Sequence, residues 1–176
     1  MNIPNSITIF RIILIPIIVV LMLTNIPYGG SLAAGIFLFA ALTDSLDGYL
    51  ARRWKQTTKL GAILDPVADK LLITAALISL VELGKLSGWI AIVIIGREFA
   101  VTGLRVVKAE EGVIIPASKM GKLKTISQVT AVMVIMLEQL LYPLAQLQLG
   151  QWIMYLAIII TLASGIEYFL KNKITF

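Results

Sequence analysis

Apolar residues fill this chain in blocks about twenty long, and most polar residues fall between the blocks, in links rich in glycine, proline or lysine. A helix needs about 20 consecutive apolar residues to cross a bilayer. The pattern therefore predicts six helices, at about 7–24, 31–53, 61–81, 88–108, 125–141 and 151–170. The links read as turns: Asn25-Ile26-Pro27-Tyr28-Gly29-Gly30, a polar run from Trp54 to Lys59, Glu82 to Ser87, a mixed segment from Ala109 to Lys124, and Tyr142-Pro143 after the fifth span. Pro66 is expected in the first turn of the third helix, where its missing amide hydrogen costs nothing. The expected architecture is all-α, a single polytopic transmembrane domain over residues 1–176. A secretory leader would also begin with an apolar block. Residues 1–6 carry no basic run and no small-residue cleavage pattern follows, so the first helix is expected to be retained.

Composition sharpens this picture. Hydrophobic residues make up 59% of the chain and charged ones 14%, with a mean hydropathy of +0.93, which excludes an ordinary soluble domain. Cysteine and histidine are both absent. Thiol chemistry, thiolate metal sites and imidazole bases are thereby removed, so a base working near neutral pH is a carboxylate, lysine or tyrosine. Any metal must accept oxygen ligands, which suits hard cations such as Mg²⁺ or Mn²⁺.

The formal charge is +5. Its basic residues cluster at membrane edges, which points to anionic lipid headgroups and phosphate-bearing substrates and away from nucleic acid. Arg52, Arg53, Lys55 and Lys59 lie between spans two and three, Lys108, Lys119, Lys122 and Lys124 between four and five, and Lys171 and Lys173 in the tail, whereas the opposite links offer Lys85 alone. Positive charge in short loops stays cytoplasmic. Both termini are thus expected in the cytoplasm, with a catalytic cavity on that side of a multi-pass protein.

The chemistry-bearing feature is a set of four aspartates in otherwise apolar surroundings. Asp44 and Asp47 are at i and i+3 in the second predicted helix, and Asp65 and Asp69 at i and i+4 in the third, so each pair shares one helix face. A short link makes the two helices antiparallel neighbours, and both pairs can converge on one cavity. Four like charges there repel strongly, and two divalent cations would neutralise them. Such a pair of metals can clamp the attacking and leaving oxygens of an in-line displacement at phosphorus. Gly48 and Gly61 would let a nucleotide or diphosphate approach the backbone, or would simply let helices pack closely.

The order Asp-x-x-Asp-Gly-x-x-Ala-Arg, a spacer of eight residues, then Gly-x-x-x-Asp-x-x-x-Asp resembles the signature of the CDP-alcohol phosphatidyltransferase family. Its positions are Asp44, Asp47, Gly48, Ala51, Arg52, Gly61, Asp65 and Asp69. The resemblance implies a six-helix bacterial cytoplasmic-membrane enzyme, a homodimer, that moves a phosphatidyl group from CDP-diacylglycerol to an alcohol and releases CMP. It also implies that Asp44, Asp47 and Asp65 are the principal metal ligands. Asp69 would share the second metal and act as the base, Gly48, Ala51 and Gly61 would make room for the CDP-lipid, and Arg52 would hold a diphosphate oxygen.

Basic residues beyond this signature favour an acceptor that carries its own phosphate. Arg97 and Arg105 are eight apart in the fourth span, close to one helix face. Lys119, Lys122, Lys124 and Thr125 gather where the fifth span opens, and a helix N-terminus beside lysines is a ready anion site. Segments 97–105 and 121–125 and the opening 2–11 resemble the branch of the family whose acceptor is glycerol 3-phosphate, with inositol 1-phosphate the alternative. From other classes, a divalent-cation transporter would bind ions at the aspartates but leaves the glycine and alanine spacing unexplained, and a non-catalytic membrane scaffold would tolerate, or gain stability from, asparagine in place of the aspartates.

Overall fold

A computed structural model describes residues 3–24, 26–54, 59–113, 115–116, 118–138, 140 and 147–171, and for residues 3–5, 44–54, 59–60 and 62–63 the backbone alone. Among the described residues the secondary structure is helical throughout, without strands. Six long helices follow one another: α1 (Ile3–Leu23), α2 (Gly29–Trp54), α3 (Lys59–Glu82), α4 (Gly88–Glu110), α5 (Lys119–Met136) and α6 (Leu149–Lys171).

Helix ends are set by local chemistry. After α3, Gly84 takes φ +67°, while its N–H donates to Val81 O and that of Lys85 to Leu80 O. After α4, Gly112 takes φ +77°, with bonds from Gly112 N to Ala109 O and from Val113 N to Lys108 O. Both are left-handed glycine caps that satisfy carbonyls the helix cannot. Ser118 caps α5, its Oγ accepting from the N–H of Gly121 at 2.9 Å.

Two predicted boundaries are corrected. The fifth helix starts at Lys119, ahead of the expected 125, because the Ser118 cap lets the lysine-bearing turn join it, and it stops at Met136. Residues 141–146, which include the expected Tyr142-Pro143 stop, lie outside the described residues. Pro66 lies well inside α3, because the helix begins at Lys59. There the proline removes one intrahelical bond, and its own carbonyl also accepts from Lys70 Nζ at 3.0 Å.

In the bundle α1 packs on α2 and α3, α5 packs most extensively on α6, and α4 lies against α6; α2 with α5 and α3 with α4 join the two groups. The helices alternate in direction. Met22, Gly30, Leu80, Lys85 and Met136, which end α1, begin α2 and end α3 and α5, share a cavity at one end. Thr8, Asp65, Arg105, Ser118 and Tyr168 meet at the other. Between these ends lies a core of Ile18, Phe37, Leu77, Leu80, Ile94, Val132, Ile135 and Met154, with alanines 33, 34, 76, 131 and 157 where helices approach closely.

Much of the outside is apolar too. Phe10, Ile13, Ile17 and Val20 form an exposed stripe on α1, and Trp152, Leu156, Ile159, Leu162, Ile166 and Leu170 are exposed on α6. Patches of this size on a folded chain mark contact with another apolar phase. Among the described residues, Ser6–Leu23 and Leu149–Lys171 are long and apolar enough to cross a membrane. With the mean hydropathy of +0.93, this marks the chain as a membrane protein.

A close helix contact lies at Gly150, where an added Cβ would stand 2.5 Å from Ile135 Cγ1 and 3.1 Å from the Ile135 backbone nitrogen. Backbone cannot step aside cheaply, so Gly150→Ala is expected to destabilise by about 1–3 kcal/mol. Gly35→Ala, on a helix position with nothing within 4 Å, should be neutral or slightly stabilising. Melting of the two variants in one detergent checks this; equal melting temperatures would contradict the close approach.

Candidate active site

Two of the four aspartates have described side chains, and α3 presents both near the end where the bundle is polar. Thr8 on α1 donates from Oγ1 to Asp65 Oδ1 at 2.5 Å. Thr8 is fully buried, as is Arg11 three residues later on the same helix face. A buried guanidinium is rare in such a bundle and its presence beside the aspartate helix marks a polar centre. Asp69, one turn beyond Asp65, faces a cavity of about 440 Å³. Gly61 is buried at the start of the same helix.

That cavity lies between α3, α4, α5 and α6. Five cationic side chains line it, Lys70, Arg97, Arg105, Lys122 and Lys124, against two carboxylates, Asp69 and Glu98. Thr102, Thr125 and Tyr168 add hydroxyls. Of the residues expected at the acceptor phosphate, Arg97, Arg105, Lys122, Lys124 and Thr125 are therefore brought together; Lys119 is exposed and does not line the cavity. An excess of positive charge in a site walled by apolar helices favours an anion, because the field is poorly screened there.

Two of these cations meet at Glu98. Lys124, on the first turns of α5 and almost wholly buried, donates to Glu98 Oε1 on α4. Arg97 places Nη1 3.4 Å from the same oxygen and donates from Nη2 to Ser164 Oγ on α6 at 2.6 Å. Its stem runs against Gly165, where any Cβ would come within 3.2 Å of Arg97 Cγ. Among the described residues Arg97 Nε is buried without a hydrogen-bond partner, against Gly165 of α6.

Tyr168 organises the other half. Its ring lies 5.2 Å from the Arg105 guanidinium carbon and 5.9 Å from that of Arg97, within the range of attraction between a cation and an aromatic face. Its hydroxyl accepts from Arg105 Nη2 at 2.5 Å and from Ser118 N at 3.1 Å, and donates to Pro116 O at 3.0 Å. One phenol thus ties α6, α4 and the chain entering α5.

A second cavity, of about 270 Å³, shares Asp69, Lys70, Glu98 and Lys124 with the first. It continues as an apolar wall of Phe37, Leu42, Leu72 and Val129 from α2, α3 and α5. Charged and apolar space thus adjoin at Asp69.

α2 carries Asp44, Asp47, Gly48, Ala51 and Arg52 in its last turns and touches α3, but the side chains of these five lie outside the described residues. Among the described residues no group of three or more acids forms a metal cluster. The oxygen donors that are described suit a hard cation: a carboxylate steadied by a hydroxyl, with a second one turn away. Sequence reasoning did not find Thr8, Ser164 or Tyr168, or the pairing of Glu98 with Lys124. The i, i+4 pairing of Ser164 and Tyr168 in an apolar helix was the available signal.

The model of one protein family, described as CDP-alcohol phosphatidyltransferase, matches residues 1–163. A protein of Bacillus subtilis is 43% identical over 97% of this chain and 95% of its own length. One of Rickettsia typhi is 36% identical over 99% of both chains. One of Pseudomonas fluorescens is 48% identical over 77% of this chain and 72% of its own. All three bear the name CDP-diacylglycerol–glycerol-3-phosphate 3-phosphatidyltransferase. With the family's match running through α1 to most of α6, the chain belongs to the CDP-alcohol phosphatidyltransferase family.

Proposed function

We propose that this protein transfers the phosphatidyl group of CDP-diacylglycerol to glycerol 3-phosphate, yielding phosphatidylglycerophosphate and CMP. The observation that carries this reading is the cationic cavity opening directly on Asp69. A phosphomonoester seated among Arg97, Arg105, Lys122 and Lys124 has its charge met by four cations, of which Arg97, Arg105 and Lys124 are held by hydrogen bonds, and its free hydroxyl can then be turned toward the carboxylate. Free serine, choline or inositol would leave the excess positive charge of this cavity, five cations against two carboxylates, unbalanced, which disfavours them as acceptors. The names of the relatives point to the same pair of substrates.

In this reading six helices span the cytoplasmic membrane, both termini and the cavity face the cytoplasm, and two copies form a homodimer. The distribution of lysine and arginine supports the orientation. A CDP-lipid has its diphosphate at the membrane surface and its acyl chains in lipid, and the charged cavity adjoining an apolar one suits a substrate divided in that way.

Asp69 takes the proton from the 1-hydroxyl of glycerol 3-phosphate, and that oxygen attacks the lipid-side phosphorus. The bond to CMP breaks, and CMP leaves with its electron pair. Asp44, Asp47, Asp65 and Asp69 would hold two divalent cations, Mg²⁺ or Mn²⁺, whose charge would stabilise the negative charge developing on the leaving oxygen. Thr8 keeps Asp65 in one orientation through its 2.5 Å hydrogen bond. Gly48, Ala51 and Gly61 would leave space for the nucleotide, and Arg52 would meet the diphosphate.

Release of labelled CMP from CDP-diacylglycerol should require glycerol 3-phosphate, cease in EDTA and return with Mg²⁺ or Mn²⁺; equal rates with inositol 1-phosphate, or full activity in EDTA, would overturn the assignment. Asp69→Asn should lower turnover by about 10²–10⁴-fold while CDP-lipid binding persists, and wild-type turnover would remove Asp69 as the base. Arg105→Met should raise KM for glycerol 3-phosphate by roughly tenfold or more and leave KM for CDP-diacylglycerol within about twofold. A rise confined to the lipid substrate would place Arg105 elsewhere in the mechanism.

A further inference from the structure

An acid inside a phosphate-binding cavity needs a reason, because it repels the ligand the cations attract. Glu98 is such an acid, lining both the charged cavity and the apolar one beside it. We infer that Glu98 is a positioning residue that tethers Lys124 on the phosphate side of the cavity and keeps it off the aspartates. The inference rests on the proposed metal and acceptor sites.

Arg97 is secured by several contacts: Ser164, the Tyr168 ring and the space left by Gly165. Lys124 is not. Among the described residues its ammonium has one hydrogen-bonding partner, the Oε1 of Glu98. Lysine carries its charge on four flexible methylenes, so what the charge neighbours is decided by the anion in reach. Among the described residues Asp69 is a second anion beside it: it lines the same two cavities, and its charge acts on Lys124. Without Glu98, the lysine would turn to Asp69, placing a fixed positive charge where a cation should bind and pairing with the group that must take a proton. Glu98 thus divides one small cavity into an anionic half and a cationic half. The same oxygen also lies 3.4 Å from Arg97 Nη1, so a single carboxylate sets the spacing of two groups on the cationic side.

Mn²⁺ binding, measured by the loss of the free-ion electron paramagnetic resonance signal on adding purified protein in detergent, tests this without turnover. Glu98→Gln keeps the shape of the side chain and should weaken Mn²⁺ binding by about tenfold and raise KM for glycerol 3-phosphate by a similar factor. The double variant Glu98→Gln with Lys124→Gln should regain Mn²⁺ affinity within about twofold while KM stays high. Should Glu98→Gln fail to fold, Lys124→Gln alone decides: Mn²⁺ affinity near wild type with a raised KM supports the tether, and weakened Mn²⁺ binding overturns it. A purely structural Glu98 would lower the melting temperature and leave Mn²⁺ affinity unchanged, which overturns the tether alone. Wild-type protein that binds no Mn²⁺ would sink the metal site, and this inference with it.

Discussion

A positive charge kept inside an apolar helical bundle must meet a negative one, and the pairing of Lys124 with Glu98 is where this fold meets that constraint. Desolvating either group alone would cost several kcal/mol. Together they bring α4 and α5 to a fixed separation beside Asp69 of α3. Arg97 joins through the same oxygen and reaches across to Ser164 on α6. The polar centre therefore acts as a strut between four helices, and in the proposed function those charges are also what a phosphate ligand requires.

The rest of the bundle supports that centre from two directions. From the apolar end, alanines and Gly150 let the helices come close enough for Ile135, Val132 and Met154 to interlock, while the buried Gln128 amide donates to Thr161 Oγ1 at 2.8 Å between α5 and α6. From the polar end, Tyr168 holds Arg105 and the chain approaching Ser118, so that the first turn of α5 delivers Gly121, Lys122 and Lys124 to the cavity. Alternating helix direction is what makes this possible: the starts of α1, α3 and α5 and the ends of α4 and α6 lie together. A bundle of parallel orientation would scatter the same residues over two ends.

Much of the functional region was legible along the chain. Asp65 and Asp69 read as a helical pair because 3.6 residues per turn bring i and i+4 to one face, and α3 presents them so. The family signature through Asp44, Asp47, Gly48, Ala51, Arg52, Gly61, Asp65 and Asp69 depends only on identity and spacing. The gathering of Arg97, Arg105, Lys122, Lys124 and Thr125 was anticipated because basic groups in apolar helices need a common anion. Thr8, Ser164 and Tyr168 were not, since a hydroxyl in an apolar helix can bond its own backbone and carries no obligation to a distant partner. Lys119 was misplaced with its neighbours because helical geometry, which decides that it points outward, depends on where α5 begins.

The amino-acid sequence by itself determined the helical class, the membrane character, the family and the shared helix face of Asp65 and Asp69, because each follows from hydropathy, periodicity or local spacing. Tertiary structure alone decided that Glu98 serves Lys124 more than its neighbour Arg97, that Thr8 steadies Asp65, and that Tyr168 locks α4 to the entry of α5. Those contacts join residues 26 to 63 positions apart. At such separations, partner choice depends on helix direction, rotation and depth, which only packing of the whole bundle sets.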